Sequence, residues 1–149
     1  MKVYVAADHN GFDYKRDLAN FLKQSGYEVV DEGNTQMTPD DDFPEFAGRA
    51  VSALLADSDR ESRAILICGS GQGMCMAANR FKGIRASLCW NVAEAWAARN
   101  DDNSNVLCLA SRDAEFETVK PIILTWLTTP FAGAPRFVRR LQQLDNLGH

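Results

Sequence analysis

Five short apolar runs alternate with helix-length amphipathic stretches, and this alternation constrains the fold more than any other feature of the chain. Residues 2–7, 27–31, 63–67, 84–89 and 106–109 read as strands. Helical patterns fill the gaps: 12–25 with the stripe Tyr14, Leu18, Phe21 and Leu22, then 43–56, 74–79 and 92–99. A further helix ends near Leu127. Pro121 argues against an early start, so its regular part is expected from about Thr118. After the Pro/Gly-containing break 128–135, an amphipathic C-terminal helix covers 136–147. Strands and helices that alternate in this way pack as parallel strands with right-handed crossovers. The expectation is therefore α/β: one domain over 1–149, a three-layer α/β/α sandwich with a five-stranded parallel sheet and a C-terminal helix.

Composition narrows the function classes. The chain has 149 residues, enough for a substantial core. The formal charge of −4 argues against nucleic acid as a partner. No apolar run approaches the ~20 residues of a membrane span. The opening Met1-Lys2-Val3 runs straight into a strand pattern, with no signal-peptide character, so a cytoplasmic protein is expected. The cysteines Cys68, Cys75, Cys89 and Cys108 form no Cys-x-x-Cys pair. Cys75, Cys89 and Cys108 read as reduced, buried thiols. With two histidines, His9 and His149, a histidine-rich metal site is excluded.

The most informative segment is Leu66-Ile-Cys-Gly-Ser-Gly-Gln-Gly73. A strand ends in Cys68, and Gly69, Gly71 and Gly73 follow at every second position before a helix begins. That turn sets one thiol at a strand mouth facing backbone N–H groups, which suits a small anion. The dinucleotide pattern Gly-x-Gly-x-x-Gly fails, because Met74 or Met76 stands at the last position, and the P-loop lysine is absent. Ala7-Asp8-His9-Asn10-Gly11 ends the first strand in a similar way, and ligands of open α/β sheets gather at carboxyl strand ends. Arg136 and Arg140, at i and i+4, share a helix face and pair as a phosphate grip or a solvated basic face. The aspartates 40–42 read as loop and N-cap residues. The polar run 100–105 precedes the fifth strand and so belongs nearer the opposite sheet edge. With a flavodoxin-like order, 2-1-3-4-5, it also lies far along the sheet from Asp8.

Taken together, Ala7-Asp-His-Asn-Gly-Phe12, Asp42-Phe-Pro44, Cys68-Gly-Ser-Gly-Gln-Gly73, Ala77-Ala-Asn-Arg80, Gly83-Ile-Arg-Ala86, Asn105-Val-Leu107, Ser111-Arg112 and the C-terminal arginines span nearly the whole chain. In them the chain resembles the ribose-5-phosphate isomerase type B / galactose-6-phosphate isomerase family. The resemblance implies a Rossmann-like sandwich acting on a small-molecule sugar phosphate. It implies a homodimer, possibly paired into a tetramer, with active sites between subunits. It implies aldose–ketose isomerisation through an enediolate without metal, nucleotide or other cofactor.

Some members of that family place the base at the cysteine of the glycine loop, and others use a glutamate where this chain has Met74. The resemblance therefore assigns the base to Cys68. The N–H groups of the turn at Gly69, Gly71 and Gly73 would hold the enediolate oxygen. Asp8 and Ser70 match residues on the sugar hydroxyls. His9, Arg112, Arg136 and Arg140 match substrate- and phosphate-side residues, and Phe43 stands where relatives often carry tyrosine. Asp101 and Asp102 replace the usual His-Asn, whose histidine assists ring opening. Asp101 is thus a candidate acid or base, and Asp102 a candidate substrate contact. The exchange fits a different sugar phosphate, or one that arrives open-chain. Two rival readings remain beside the sugar-phosphate isomerase: an isomerase of an unusual or non-phosphorylated sugar, and a non-catalytic sugar-phosphate-binding protein.

Overall fold

The computed structural model describes residues 1–148. Five strands, β1 (Lys2–Ala7), β2 (Glu28–Asp31), β3 (Arg63–Cys68), β4 (Ala86–Leu88) and β5 (Val106–Ala110), form one sheet in the order β2-β1-β3-β5-β4. Every pairing is parallel. Six helices cover it: α1 (Phe12–Gln24), α2 (Phe43–Ala56), α3 (Gln72–Ala78), α4 (Val92–Asn100), α5 (Phe116–Thr128) and α6 (Pro135–Asp145).

Alternation along the central strands builds two cores. Val3 and Val5 of β1, Ile65 and Ile67 of β3, and Leu107 and Leu109 of β5 face one side, where they meet Leu18 and Leu22 of α1, Ala95 and Ala98 of α4, and Ile123 and Trp126 of α5. Tyr4, Ala6, Leu66, Cys68, Val106 and Cys108 face the other, against Phe46 and Val51 of α2 and Met74 and Ala78 of α3. Right-handed crossovers demand this division: connections that run toward β4 lie on one face, and those that return lie on the other. Each fully buried aliphatic side chain, such as Ile65 or Ile67, contributes about 1.5–3 kcal/mol. All six residues of β3 are buried, as expected of a central parallel strand.

The strand order departs from the flavodoxin-like expectation. β5 inserts between β3 and β4, and β4 takes the edge. β5 carries a continuous apolar run that is buried through Leu109, whereas the three residues of β4 are half-buried. The more apolar strand occupies the interior position, and the shorter one closes the sheet. β4 is also shorter than the 84–89 run suggests. The Arg85 N–H donates to the Asn105 Oδ1 at 2.8 Å instead of joining a ladder.

α5 begins at Phe116, before the expected Thr118, and keeps Pro121 within it. The bond that Pro121 forgoes is to the carbonyl of exposed Glu117, where solvent substitutes. α1 ends where expected. Gly26, at φ +89, follows the helix, and the Tyr27 N–H returns to the Leu22 carbonyl at 3.0 Å. Among the described residues no helix is long and apolar enough to cross a membrane.

Candidate active site

The carboxyl ends of β1, β3 and β5 stand level, Ala7 beside Ile67 and Cys68 beside Ala110, so the loops that follow them meet. Outgoing connections from β1 and β3 pass to opposite faces of the sheet, which opens a crevice between these neighbours.

The loop after β1 is organised by Asp8. Its Oδ1 accepts from the Asn10 and Gly11 N–H groups at 3.0 and 3.3 Å, and caps the short 3-10 turn His9–Gly11. Gly11 has no alternative, since a Cβ there would stand 2.7 Å from Ile67 Cγ2. His9 is fixed by Asp41. The His9 backbone N–H donates to Asp41 Oδ1 at 2.8 Å, and Nδ1 lies 2.9 Å from the same oxygen. That hydrogen bond raises the His9 pKa, against partial desolvation and with help from the Asp8 charge. Asn34 Nδ2 holds the second Asp41 oxygen at 3.2 Å. Asp41, read from the sequence as a loop residue, is thus the partner of His9. Asp42 occupies the N-cap position of α2 but makes no capping hydrogen bond through its side chain.

The loop after β3 is a hub whose glycines are bare because other groups fill the space beside them. At Gly69 a Cβ would stand 2.5 Å from Arg112 Nη2. At Gly73 it would stand 2.9 Å from the Phe43 ring. At Gly71, which is left-handed at φ +74, it would meet Leu88 Cδ1 at 2.5 Å and the Leu109 backbone at 3.1 Å. The turn therefore carries Arg112 on one flank and Phe43 on the other.

Ser70 is exposed, and its Oγ accepts from the Gln72 N–H at 3.3 Å. The Gly73 and Met74 N–H groups, in the first turn of α3, find no acceptor among the described residues. Cys68 is buried at the strand end. Ser111 locks the loops together: its N–H and Oγ donate to the Cys68 carbonyl at 3.0 and 3.3 Å, and Oγ also reaches the Asn10 carbonyl at 2.9 Å. Ser111 was visible in the sequence only as part of a matched segment. Its bridging role needs the tertiary fold.

Met74 is fully buried in the α2/α3 core and takes no part in the crevice. The remaining cysteines are free, and burial pushes the Cys89 thiol up to about 12 and Cys108 up as well. Cys75 is half-buried rather than buried. Its pKa is lowered, first by a hydrogen bond with the Cys108 thiol, and its Sγ donates to the Ala86 carbonyl at 3.5 Å between α3 and β4.

Asp8, His9, Phe43, Cys68, Gly69, Ser70, Gly71, Gly73 and Arg112 therefore gather at the carboxyl edge. Asp101, Asp102, Arg136 and Arg140 do not join them within one chain. Asp101 and Asp102 follow α4 at the amino edge, where the Asn105 carbonyl accepts from Ala64, the second residue of β3. Asn100 Nδ2 donates to Asp101 Oδ1 at 2.7 Å. Asp102 is exposed as a residue, yet partial desolvation and then the Asp101 charge push its carboxyl upward, while Arg140 opposes them. The segment leading into α6 is tied to the same corner, with the Ala132 N–H on the Asn100 carbonyl at 3.0 Å. The exposed Arg136 guanidinium stacks 4.5 Å from the centre of the Phe137 ring. α6 buries no residue on its own chain, and Val138, Leu144 and Leu147 stay exposed. The two groups are separated by the length of a strand, roughly 15 Å.

Known proteins share this arrangement of the chain. The Ribose/Galactose Isomerase family matches residues 3–144. Ribose-5-phosphate isomerase B of Mycolicibacterium paratuberculosis is 36% identical over 144 residues, which cover 97% of this chain and 89% of that protein. The crystal structure of a ribose 5-phosphate isomerase from Thermotoga maritima superposes with a TM-score of 0.90 at 38% identity, covering 97% of both chains. That of ribose-5-phosphate isomerase B from Mycoplasma genitalium, with bound ribulose-5-phosphate, gives 0.91 at 37% identity, covering 97% of this chain and 93% of that one. With the match running from the first strand through the last helix, the chain belongs to the Ribose/Galactose Isomerase family.

Proposed function

We propose that the chain is a cofactor-independent aldose–ketose isomerase of a small phosphorylated sugar, with Cys68 as the base. The single observation that carries this reading is the convergence of Cys68, Asp8 and the open N–H groups of the glycine turn at one crevice. The relative from Mycoplasma genitalium, solved with ribulose-5-phosphate, supports a pentose phosphate as the substrate class.

Isomerisation moves one proton from C2 to C1 and one from the C2 hydroxyl to the C1 carbonyl oxygen. Cys68 Sγ takes the C2 proton and returns it to C1. The Gly73 and Met74 N–H groups, unpaired among the described residues, stabilise the enediolate oxygen as charge develops there. Asp8 and Ser70 order the sugar hydroxyls, and Phe43 walls the turn at Gly73. Arg112 supplies positive charge beside Gly69.

The phosphate grip of Arg136 and Arg140, together with Asp101 and Asp102, comes from a second subunit. Each chain carries one group at each end of its strands, so a two-fold, antiparallel meeting of two chains completes both sites. The apolar side of α6 that its own chain leaves uncovered supports a homodimer at least. Asp102 beside Arg140 favours a second reading of the substrate, a sugar phosphate other than ribose 5-phosphate, because a carboxylate there offsets part of the charge that holds the phosphate.

The test is NMR of pentose and hexose phosphates in deuterated water, which reports both ketose formation and exchange of the C2 proton. Cys68→Ala should lower both by about 10²–10⁴-fold with substrate binding kept, the scale of a lost general base. Cys68→Ser should be nearly as damaging. Wild-type turnover by Cys68→Ala would remove Cys68 from the mechanism.

A further inference from the structure

At the amino edge of the sheet lies a cavity of about 590 Å³ lined by Arg63 of β3, Arg85 just before β4 and Arg99 of α4. Arg63 and Arg99 are only 6% and 4% exposed, a degree of burial that arginine tolerates only when paired. Arg63 has its partners: Nη1 donates to the carbonyls of Arg60, Glu61 and Ser62, and Nη2 to Glu61 Oε2 at 3.3 Å.

The other two arginines are incompletely paired. Arg99 donates through Nε to the Thr129 carbonyl at 3.3 Å, and through Nη1 to Asn103 Oδ1 and the Ser104 carbonyl. Arg85 donates through Nε to the Asn103 carbonyl at 3.1 Å, and its Nη1 lies 3.6 Å from Asp145 Oδ1. Neither Nη2 has a partner within the described residues. Yet no fully buried side-chain nitrogen among them is unsatisfied, so both Nη2 groups reach open space; both residues line this cavity, and Arg85 also lines the neighbouring one that holds Asp145.

The wall is net positive, with Arg60, Arg63, Arg85 and Arg99 against Asp57, Asp59 and Glu61. Burial, and then the Arg63 and Arg85 charges, bring the Arg99 pKa down to about 10, with Glu61 opposing. The carboxylates on the cavity wall, Asp57, Asp59 and Glu61, all belong to the loop before β3 and are already engaged. Asp57 accepts from Lys2, Tyr4 and Ser62, Asp59 from the Glu61 N–H, and Glu61 from Arg63. Leu54, Leu55, Pro130 and Phe131 give the same cavity an apolar wall. Its volume falls within the range of small-molecule sites.

We propose that this cavity binds a phosphomonoester, with its phosphate on the Nη groups of Arg85 and Arg99 and its organic body against Leu55, Pro130 and Phe131. The site is separate from Arg112, Arg136 and Arg140, and does not depend on the isomerase reading.

The experiment titrates the full-length protein with phenyl phosphate and with inorganic phosphate, following backbone amide shifts by NMR. Expected are shifts at Arg85, Arg99, Asn103 and the 57–62 loop, with phenyl phosphate binding tighter than inorganic phosphate. Arg85→Gln should weaken this binding about tenfold, as expected for one lost charge-assisted hydrogen bond, while shifts around Gly69–Gly73 persist. Because Arg85→Gln removes a loop contact as well, crystals of the unaltered protein soaked in tungstate give a second readout, an anomalous peak between Arg85 and Arg99. Shifts confined to the glycine turn, equal affinity for the two phosphates, or no peak in the cavity would each overturn the proposal.

Discussion

The Arg112 guanidinium fills the place where a side chain at Gly69 would begin: a Cβ there would lie 2.5 Å from Nη2. The neighbour is the far end of a flexible side chain, so Gly69→Ala should displace Arg112 and leave the fold intact. Sugar-phosphate affinity is expected to fall by ~1.5–3 kcal/mol, the worth of a charge-assisted hydrogen bond, with little change in Tm. Gly71→Ala is the contrasting case. It forces a Cβ into a left-handed residue and against the Leu109 backbone, 3.1 Å away. A destabilisation of at least about 2 kcal/mol is expected, or a Tm lower by roughly 4–8 °C. Calorimetry and substrate titration on both variants check the pair. Equal effects on stability would contradict it.

The His9–Asp41 bond gives a defined pH dependence. His9 has a folded pKa raised above its ordinary 6.5, so folding favours the protonated ring. Its stabilisation is fully present below the unfolded pKa of about 6.5 and is lost as pH rises through the higher folded value. Asp41→Asn should flatten this dependence and return the His9 titration toward 6.5. The ring Cε1–H signal in NMR, distinguishable from that of His149, measures it directly.

The separation of the two groups of site residues predicts complementation. Chains that carry Cys68→Ala and chains that carry Asp101→Asn, Arg140→Ala should each be strongly impaired. Mixed and reassembled, they form hybrid dimers in which one site has the intact carboxyl-edge group of one chain and the intact amino-edge group of the other. Activity should recover toward a quarter of wild type in an equal mixture, if assembly is random. A monomer in sedimentation that retains full activity would rule this out.

Asp101 and Asp102 should set substrate preference. Histidine is the side chain suited to proton exchange near neutral pH, and position 101 holds an aspartate instead, so ring opening by Asp101 is disfavoured. Asp101→His with Asp102→Asn should therefore raise turnover of ribose 5-phosphate, and should strengthen phosphate binding by freeing Arg140 from the neighbouring acid. Turnover no higher than that of the unaltered chain would separate these acids from substrate choice.

Local chemistry was written along the chain, and it was legible there. β1 at Lys2–Ala7 and α2 at Phe43–Ala56 have the bounds that periodicity predicts, because strand and helix repeats, with Pro44 in the first turn of α2, are properties of adjacent residues. The glycine turn was recognisable too, since three glycines beside a strand end have few other uses. What each glycine makes room for was not: Arg112, Leu88, Leu109 and Phe43 approach from three other segments. Asp41 as the partner of His9 and Ser111 as the tie between loops likewise depend on distances between segments 32 to 101 residues apart. The strand order turned on which of β4 and β5 buries more apolar surface once both compete for a place beside β3, a comparison that only packing makes. Periodicity determined that a parallel sheet forms and which loops follow its strand ends. Tertiary structure decided that the candidate residues divide between opposite edges, because a parallel strand keeps its two ends a strand length apart however the rest of the chain folds.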